Sequence, residues 1–213
     1  MVGSTAAYPC ASWGCLDYVT SMQQSIATCG GSASDSWWIW TTSAFGKVNL
    51  AVPGCIVGAE DVTGDLPQPP TGLHPELDPW IQGFATDGIN LLVGIGGPVS
   101  GGHVWWRDFS TGRSTWSSIS GPGSGLPNDP VSALSMVLNH SGGTDVYAGL
   151  ASGGVYVCRG CVFSSPHWSL VGSGLPNAGI AHLSFSAGAG GVGLTSTLFA
   201  WTYGRGVWSV TVG

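Results

Sequence analysis

Carboxylates are the first residues in this sequence that could do chemistry. Glycoside hydrolysis needs two carboxylates that face one cleft, and the densest acidic stretch among the 213 residues is Glu60-Asp61-Val-Thr-Gly-Asp65. If the chain is a glycosidase, the contributing carboxylates are Asp35, Asp61 and Asp65. The oxygens of Asp61 and Asp65 could instead bind Ca²⁺. In a proline-rich stretch, however, Asp more often satisfies the turns of a solvated loop, so we expect no catalytic residue here.

The 11 tryptophans form the second chemically interesting group, because the flat apolar faces of sugar rings stack on exposed aromatic rings. Two pairs are adjacent, Trp37-Trp38 and Trp105-Trp106, and adjacent side chains of a strand point to opposite faces. One member of each pair is therefore a candidate contact for a glycan or for another protein chain. Burial is the commoner fate of such residues, and we expect Trp116 and Trp168 to pack between sheets.

The six cysteines indicate an extracellular chain with disulfides, because the sequence is also poor in lysine. The simplest pairings join cysteines that are close in the sequence, Cys10 with Cys15 and Cys158 with Cys161. Asn139-His-Ser141 is a candidate glycosylation sequon. Zinc would need four well-spaced Cys or His ligands. One Cys-x-x-Cys with scattered histidines does not supply them, so we predict no metal centre.

Charge excludes several classes of partner. Only 8% of the residues are charged, and the five cations leave a net charge of −6. Binding to a nucleic-acid backbone needs clustered Lys and Arg, which this sequence lacks. The mean hydropathy is above zero, but the longest apolar run is far shorter than the ~20 residues of a membrane-spanning helix. We therefore predict neither nucleic-acid binding nor membrane insertion.

A sequence repeat must position these residues. Gly123-Ser-Gly-Leu-Pro-Asn128 recurs unchanged at Gly172–Asn177, 172 − 123 = 49 residues later, and Gly72-Leu73 is a fainter copy. Val146-Tyr-Ala-Gly149 likewise matches Leu198-Phe-Ala-Trp201. A period near 50 residues indicates repeated units that stack on their neighbours to bury a core.

Within each period, short aromatic and β-branched runs bounded by glycine predict strands. The predicted strands are 24–29, 36–42, 48–52, 80–86, 90–95, 102–106, 114–119, 131–137, 145–150, 154–158, 167–171, 180–186, 197–201 and 206–212. No stretch has sustained helical periodicity. The proline-rich tract 58–79 is predicted to be a loop, because proline cannot donate to a strand ladder.

Four short strands in each period are typical of a β-propeller blade. We predict an all-β fold, a single propeller-like domain over residues 1–213, with an N-terminal segment 1–22 and about four blades at 23–76, 77–128, 129–177 and 178–213. The last blade lacks its fourth strand. The ring would then be closed by the N-terminal strand or by another chain, because an unpaired edge invites pairing.

Residues 77–213 resemble the Asp-box (BNR-type) propellers of sialidases, xyloglucanase-like glycosidases and sortilin-type receptors. The resemblance rests on Val146-Tyr-Ala-Gly149, Gly153-Gly-Val-Tyr156, Trp168, the repeated Gly-Leu-Pro-Asn and the closing Trp201-Thr-Tyr-Gly-Arg-Gly-Val-Trp208. The Asp-box turn itself is eroded in both copies.

The resemblance implies a propeller, and such propellers serve many functions. A sialidase-like site would need clustered arginines to hold a substrate carboxylate. Arg107 and Arg159 are its candidates because we place them at equivalent repeat positions.

Together these features favour an extracellular, non-catalytic structural or binding module. Its expected partners are copies of itself, other extracellular proteins or polysaccharide. One alternative is a xyloglucanase-like glycoside hydrolase, or a fragment of one, which would use the carboxylates named above. Another is a receptor-type propeller that binds a protein ligand. No cofactor is expected, apart from the Ca²⁺ considered at Asp61 and Asp65.

Overall fold

A computed structural model describes most of the second half of the chain and the strands of the first. The described residues are 19–29, 32–41, 45–49, 58–61, 65–67, 81–86, 90–108, 115–139, 141–172, 174–175, 177–186 and 196–212. Their strands are β1 (Val19–Cys29), β2 (Ser32–Thr41), β3 (Phe45–Asn49), β4 (Gly58–Asp61), β5 (Ile81–Thr86), β6 (Asn90–Ile95), β7 (Val104–Asp108), β8 (Ser117–Ser118), β9 (Val131–Leu138), β10 (Thr144–Leu150), β11 (Val155–Cys158), β12 (Trp168–Leu170), β13 (Ile180–Ser186), β14 (Ser196–Thr202) and β15 (Gly206–Val212). The all-β class predicted from the sequence is confirmed. The described residues form no helix of the length and apolarity that crossing a membrane requires.

The described strands form four antiparallel sheets in chain order. We call them sheet 1 (β1–β4), sheet 2 (β5–β8), sheet 3 (β9–β12) and sheet 4 (β13–β15), of which sheet 4 has three strands and the others four. Consecutive strands within each sheet pair with one another in antiparallel order. The β10–β11 turn needs glycine, since Gly153 and Gly154 have φ values of 116° and 92°, which are strained for other residues.

The sheets are copies of one unit, including sheet 1, whose sequence is the least regular. The first strand of each sheet has a bulge at the same point, at Val19/Ser21, Ile81/Gly83, Val131/Ala133 and Ile180/His182. Neighbouring sheets pack through these first strands, because β1 contacts β5, β5 contacts β9 and β9 contacts β13. The four stacked units therefore follow the predicted repeat.

One prediction in the first repeat was wrong. β4 (Gly58–Asp61) pairs with β3 although the tract 58–79 was predicted to be a loop. Its four residues precede the first proline of that tract, Pro67, so each keeps the N–H that a ladder needs. β1 begins at Val19, inside the N-terminal segment 1–22, and it pairs with β2 in sheet 1. Residues 1–18 lie outside the described part of the chain.

The repeated linker anchors a tryptophan from the fourth strand of the following sheet. Trp168 is buried, donates from its backbone N–H to the carbonyl of Ser124 (2.7 Å), and donates from Nε1 to the carbonyl of Ile119 (2.7 Å). Trp168 and Leu126 share the core cluster between sheets 2 and 3. Its equivalent Trp116 is also buried. The predicted packing role of both tryptophans is confirmed.

The first copy of the linker is Leu66-Pro67. Leu66 packs in one cluster with Trp116, as Leu126 packs with Trp168. Gly72-Leu73, the copy chosen from the sequence, lies outside the described residues. Leu66 precedes Ile81 by 15 residues and Leu126 precedes Val131 by 5, so the first repeat carries 15 − 5 = 10 extra residues, and these obscure its period.

Glycine lets the neighbouring sheets approach closely. A Cβ atom added to Gly94 would lie 2.9 Å from Cγ1 of Val131, and one added to Gly149 would lie 2.5 Å from Cγ2 of Ile180. Real Cβ atoms do not come so close, so sheets 2 and 3, and sheets 3 and 4, are held at separations that only glycine allows at these points.

We expect Gly149→Ala to destabilise the protein by about 1–3 kcal/mol, since the new methyl group overlaps Ile180 in a packed core. Alanine is favoured over glycine within a strand. A loss of stability would therefore show that the added methyl group clashes with Ile180. Chemical denaturation measures it. Gly121→Ala is the matched control, because its Cβ would meet its nearest atom, the carbonyl oxygen of Gly101, at 3.4 Å. Equal stability of the two variants would contradict the close approach.

Tyr147 makes the stability of this core depend on pH. It is buried between sheets 3 and 4, with its ring centroid 4.8 Å from that of Phe185. Burial raises the pKa of its phenol above 10.0, the charge of Asp145 raises it further, and Arg159 partly offsets the rise. Because the folded-state pKa is the higher one, the stability contributed by the neutral phenol is complete below pH 10 and is lost as the pH rises above it.

We therefore expect the free energy of unfolding to fall above pH 10, with a contribution from Tyr147 of up to about 1.4 kcal/mol per pH unit. Tyr147→Phe should lose that component and show a shallower alkaline slope. Denaturation at a series of pH values between 9 and 11 compares the slopes, with Tyr203→Phe as the exposed control. Parallel slopes for wild type and Tyr147→Phe would contradict the burial effect.

Candidate functional site

Trp105 and Trp106 form one of the two tryptophan pairs predicted to bind ligand, and both pack against the core. Trp105 and Trp106 point to opposite faces of β7, and each packs against a different core cluster. Nε1 of Trp105 donates to the carbonyl of Gly102 (3.0 Å). Nε1 of Trp106 donates to Oδ1 of Asn90 (2.9 Å), and its ring stacks on Phe163 at a centroid distance of 4.8 Å. Both rings thus have structural roles.

The other predicted pair, Trp37 and Trp38, lies in β2 opposite Gln24 and Gln23 of β1. Their side chains are outside the described part of the chain, so their contact with a ligand stays a prediction.

Of the three candidate carboxylates, Asp35 and Asp61 lie apart in sheet 1. Asp61 aligns with Gly46 of β3, and Gly46 aligns with Ile39 of β2. Ile39 is 39 − 35 = 4 residues along β2 from Asp35, about 13 Å at the rise of a strand. Oδ1 of Asp65 accepts a hydrogen bond from the backbone N–H of Trp116 (2.8 Å). No register brings Asp35 and Asp61 together as a carboxylate pair would require.

A polar cluster closes the outer end of sheet 3. The buried carboxylate of Asp145 accepts hydrogen bonds from Nδ2 of Asn139 (2.8 Å) and from the N–H of Gly160 (2.7 Å). Nη1 of Arg159 lies 3.6 Å from its other oxygen. These bonds satisfy a buried charge, so the cluster is structural. Among the described residues, no three His, Cys, Asp or Glu side chains form a group that could hold a metal ion.

The disulfide and the sequon belong to the same cluster. The structure joins Cys158 to Cys161 with Cα atoms 5.1 Å apart, one of the two predicted pairs, and the bond closes the turn that holds Arg159. The Cys10–Cys15 pair lies outside the described residues. Nδ2 of Asn139 is the atom that would carry a glycan, and a glycosylated amide keeps one N–H with which to bond Asp145. Glycosylation therefore stays a prediction.

The two arginines are not equivalent, which corrects the predicted arginine pair. Val104 and Val155 are matching positions, because they pair with Gly94 and Gly149. Three residues further on, Arg107 therefore matches Cys158. Arg107 lies within β7, whereas Arg159 lies in the turn after β11.

One cross-strand row of residues distinguishes sheet 4 from sheets 2 and 3. In sheet 2 the row is Gly83, Gly94 and Val104, and in sheet 3 it is Ala133, Gly149 and Val155. The next sheet covers both rows, as shown by the distances from Gly94 and Gly149 above. In sheet 4 the row is His182, Trp201 and Val207. The register positions of sheet 1, Ser21, Trp40 and Phe45, also lack glycine.

The row of sheet 4 is exposed where the earlier rows are buried. Val104 and Val155 are fully buried, whereas Val207 is 52% exposed and Trp201 is 37% exposed. The ring centroid of Trp201 lies 5.3 Å from that of His182 and 6.2 Å from that of Phe199. We call the surface formed by His182, Phe199, Trp201 and Val207 the end face. It has an apolar aromatic centre with one imidazole.

The end face was not predicted from the sequence, because only adjacent tryptophans were taken as candidate contacts. The alignment of Val146-Tyr-Ala-Gly149 with Leu198-Phe-Ala-Trp201 contained the signal, since it sets Trp201 where the earlier repeat has a glycine. The side chain of His182 is exposed. The carbonyl of Arg205 accepts a hydrogen bond from Nε1 of Trp208 (2.9 Å).

No model of a known protein family matches this sequence, and no curated protein matches it. Two solved structures of the extracellular domain of BT4673 from B. thetaiotaomicron do match. One, named as part of a hybrid two-component system, is 12% identical with a TM-score of 0.42 and covers 92% of this chain and 28% of its own. The other, named as part of a one-component system, is 12% identical with a TM-score of 0.37 and covers 93% and 28%. The chain thus spans little more than a quarter of those structures, and we transfer nothing from them.

The end face is expected to contribute little to stability. Trp201→Ala should cost about 1 kcal/mol or less, because no sheet covers this side chain in the described structure. Trp168→Ala should cost about 3–5 kcal/mol, because it removes a buried indole and its hydrogen bonds. Denaturant titration of both variants measures the difference. Equal losses would mean that Trp201 is packed like Trp168.

Proposed function

We propose that the chain is a non-catalytic, extracellular structural module with propeller-type repeats, and that its end face pairs with the end face of a second copy. The observation that carries the proposal is the exposed row His182–Trp201–Val207, because the equivalent rows of two earlier sheets are covered by protein. Exposed apolar patches of this kind mark interaction sites. The resemblance to Asp-box propellers supports the repeat class assumed here.

Trp201 limits what can cover the end face. A fifth sheet packed in the geometry of the earlier interfaces would place its first strand where Ile180 lies against Gly149, and the indole of Trp201 occupies that space. A further sheet could therefore not pack on sheet 4 in the way that sheet 4 packs on sheet 3. A second end face, by contrast, presents the same aromatic and imidazole groups and can pack against the first about a two-fold axis.

The composition and the disulfide support the extracellular location. Disulfides persist where the environment is oxidising, and Cys158–Cys161 lies in the outer turn of sheet 3. A surface of Gly, Ser and Thr with few charges leaves apolar contact as the main source of association energy.

A glycan is the second candidate for the end face. The observation that favours it is the exposed indole of Trp201 with the imidazole of His182 beside it, since a sugar ring could stack on the indole while the imidazole bonds a hydroxyl. A glycan array probed with the 213-residue chain tests this candidate. Signal that Trp201→Ser removes, from a chain that stays monomeric, would replace the pairing proposal.

We expect the wild-type chain to associate reversibly in sedimentation velocity experiments without reductant, and Trp201→Ser to weaken association at least about tenfold. Trp208→Ser is the matched control. Trp208 is 40% exposed, but it pairs with the buried Ala200 and so lies on the opposite face of sheet 4.

A wild-type chain that stays monomeric at every concentration would overturn the proposal. Equal weakening by Trp201→Ser and Trp208→Ser would also contradict it, because the contact would then lie elsewhere.

A further inference from the structure

Sheet 4 differs from sheets 2 and 3 in a second way besides its end face. In the described structure it has three strands and no fourth. In sheets 2 and 3 the third strand pairs with a fourth, β7 with β8 and β11 with β12. Among the described residues, β15 pairs with β14 and sheet 4 ends there. Within the described part of the chain, the outer backbone groups of β15 thus form an unpaired sheet edge, which is the kind of edge that pairs with an added strand.

The position of the missing strand is defined by its filled counterparts. In sheet 3 the fourth strand sets Trp168 opposite Cys158. Cys158 matches Val210 of β15, since Val155 and Val207 are equivalent and each lies three residues earlier. An added strand would thus set its own tryptophan opposite Val210.

The linker before sheet 4 shows what such a tryptophan would cover. Under Trp168, Leu126 is 7% exposed, and a Cβ on Gly125 would lie 2.5 Å from the carbonyl oxygen of Trp168. The equivalent Leu175 is only partly buried, and a Cβ on Gly174 would have no atom within 4 Å. The described residues of this linker are therefore less covered than their equivalents under Trp168.

The two filled sheets also define the sequence chemistry of the occupant. Their fourth strands lie within the segments Trp116-Ser-Ser-Ile119 and Trp168-Ser-Leu-Val171. In each, the tryptophan is buried, and the aliphatic residue three positions later is buried too. The shared pattern is Trp-Ser-x-aliphatic in an extended conformation.

We propose that the outer edge of β15 binds an extended segment with the pattern Trp-Ser-x-aliphatic, presented by another protein chain, by strand addition. Backbone hydrogen bonds to β15 would supply affinity, and the tryptophan over Leu175 and Val210 would supply specificity.

The probe is a fluorescein-labelled peptide with the sequence Ser165-Pro-His-Trp-Ser-Leu-Val-Gly172, added to the intact 213-residue chain and followed by fluorescence anisotropy. We expect saturable binding. Alanine in place of its tryptophan should weaken binding at least about tenfold, and N-methylation of alternate backbone amides, which removes strand hydrogen bonds, should weaken it similarly.

Variants of the protein locate the binding site. Val210→Asp places a carboxylate opposite the peptide tryptophan and should abolish binding. Val207→Asp, in the same strand but on the end face, should leave it unchanged. Circular dichroism and thermal unfolding confirm that each variant is folded. If Val210→Asp is unfolded, Val210→Thr is used, with weaker binding expected.

Three results would overturn the proposal: no saturable binding, equal binding of the alanine peptide, or equal effects of the two aspartate variants. Trp201→Ser should bind the peptide normally while losing self-association. Failure of strand addition and failure of the end-face contact are therefore separate outcomes.

Discussion

The close approach of neighbouring sheets at glycine is the constraint on which the rest of this structure depends. Gly94 admits Val131, and Gly149 admits Ile180, so the first strands of sheets 3 and 4 fit against the second strands of the sheets before them. The buried rows of sheets 2 and 3, the core between these sheets and the linker that anchors Trp168 all depend on that spacing. Where the glycine becomes Trp201, a further sheet could not pack in the same way, and the row that contains Trp201 is exposed in the described structure.

The function proposed for this chain follows from where the repeat is incomplete. Sheets 2 and 3 satisfy both their faces and their fourth strands within the chain. Sheet 4 has the same backbone pairing in its first three strands, but its outer row is aromatic and exposed, and the edge of β15 ends its sheet in the described structure. The two proposed contacts thus fall on one sheet, one through side chains on a face and one through backbone groups at an edge. Neither requires a catalytic group.

Much of this fold could be predicted from the sequence, because strand propensity and the repeated linker act locally. The β5–β15 strands lie close to their predicted places, and the buried Trp116 and Trp168 follow from the repeat. The first repeat was harder, since ten additional residues separate Leu66 from Ile81 and hide its alignment. β4 was missed because proline content was averaged over a tract whose first four residues contain none.

The candidate site was predicted less well, because exposure depends on contacts between sheets. Trp105 and Trp106 are of a residue type that is common in binding surfaces, yet both side chains pack against the core. Trp201 has no distinctive neighbours in sequence. It becomes a candidate only when the register sets it beside His182 and Val207 and the equivalent glycines are seen to be covered.

The most direct measurement of the central claim is hydroxyl-radical footprinting of the intact chain at increasing protein concentration, with oxidation of Trp201 and Trp208 quantified by mass spectrometry. The two indoles are similarly exposed in one copy, 37% and 40%, but lie on opposite faces of sheet 4. If end faces pair, oxidation of Trp201 falls as concentration rises while that of Trp208 stays constant. Constant oxidation of both residues, or protection of Trp208 alone, would contradict the account.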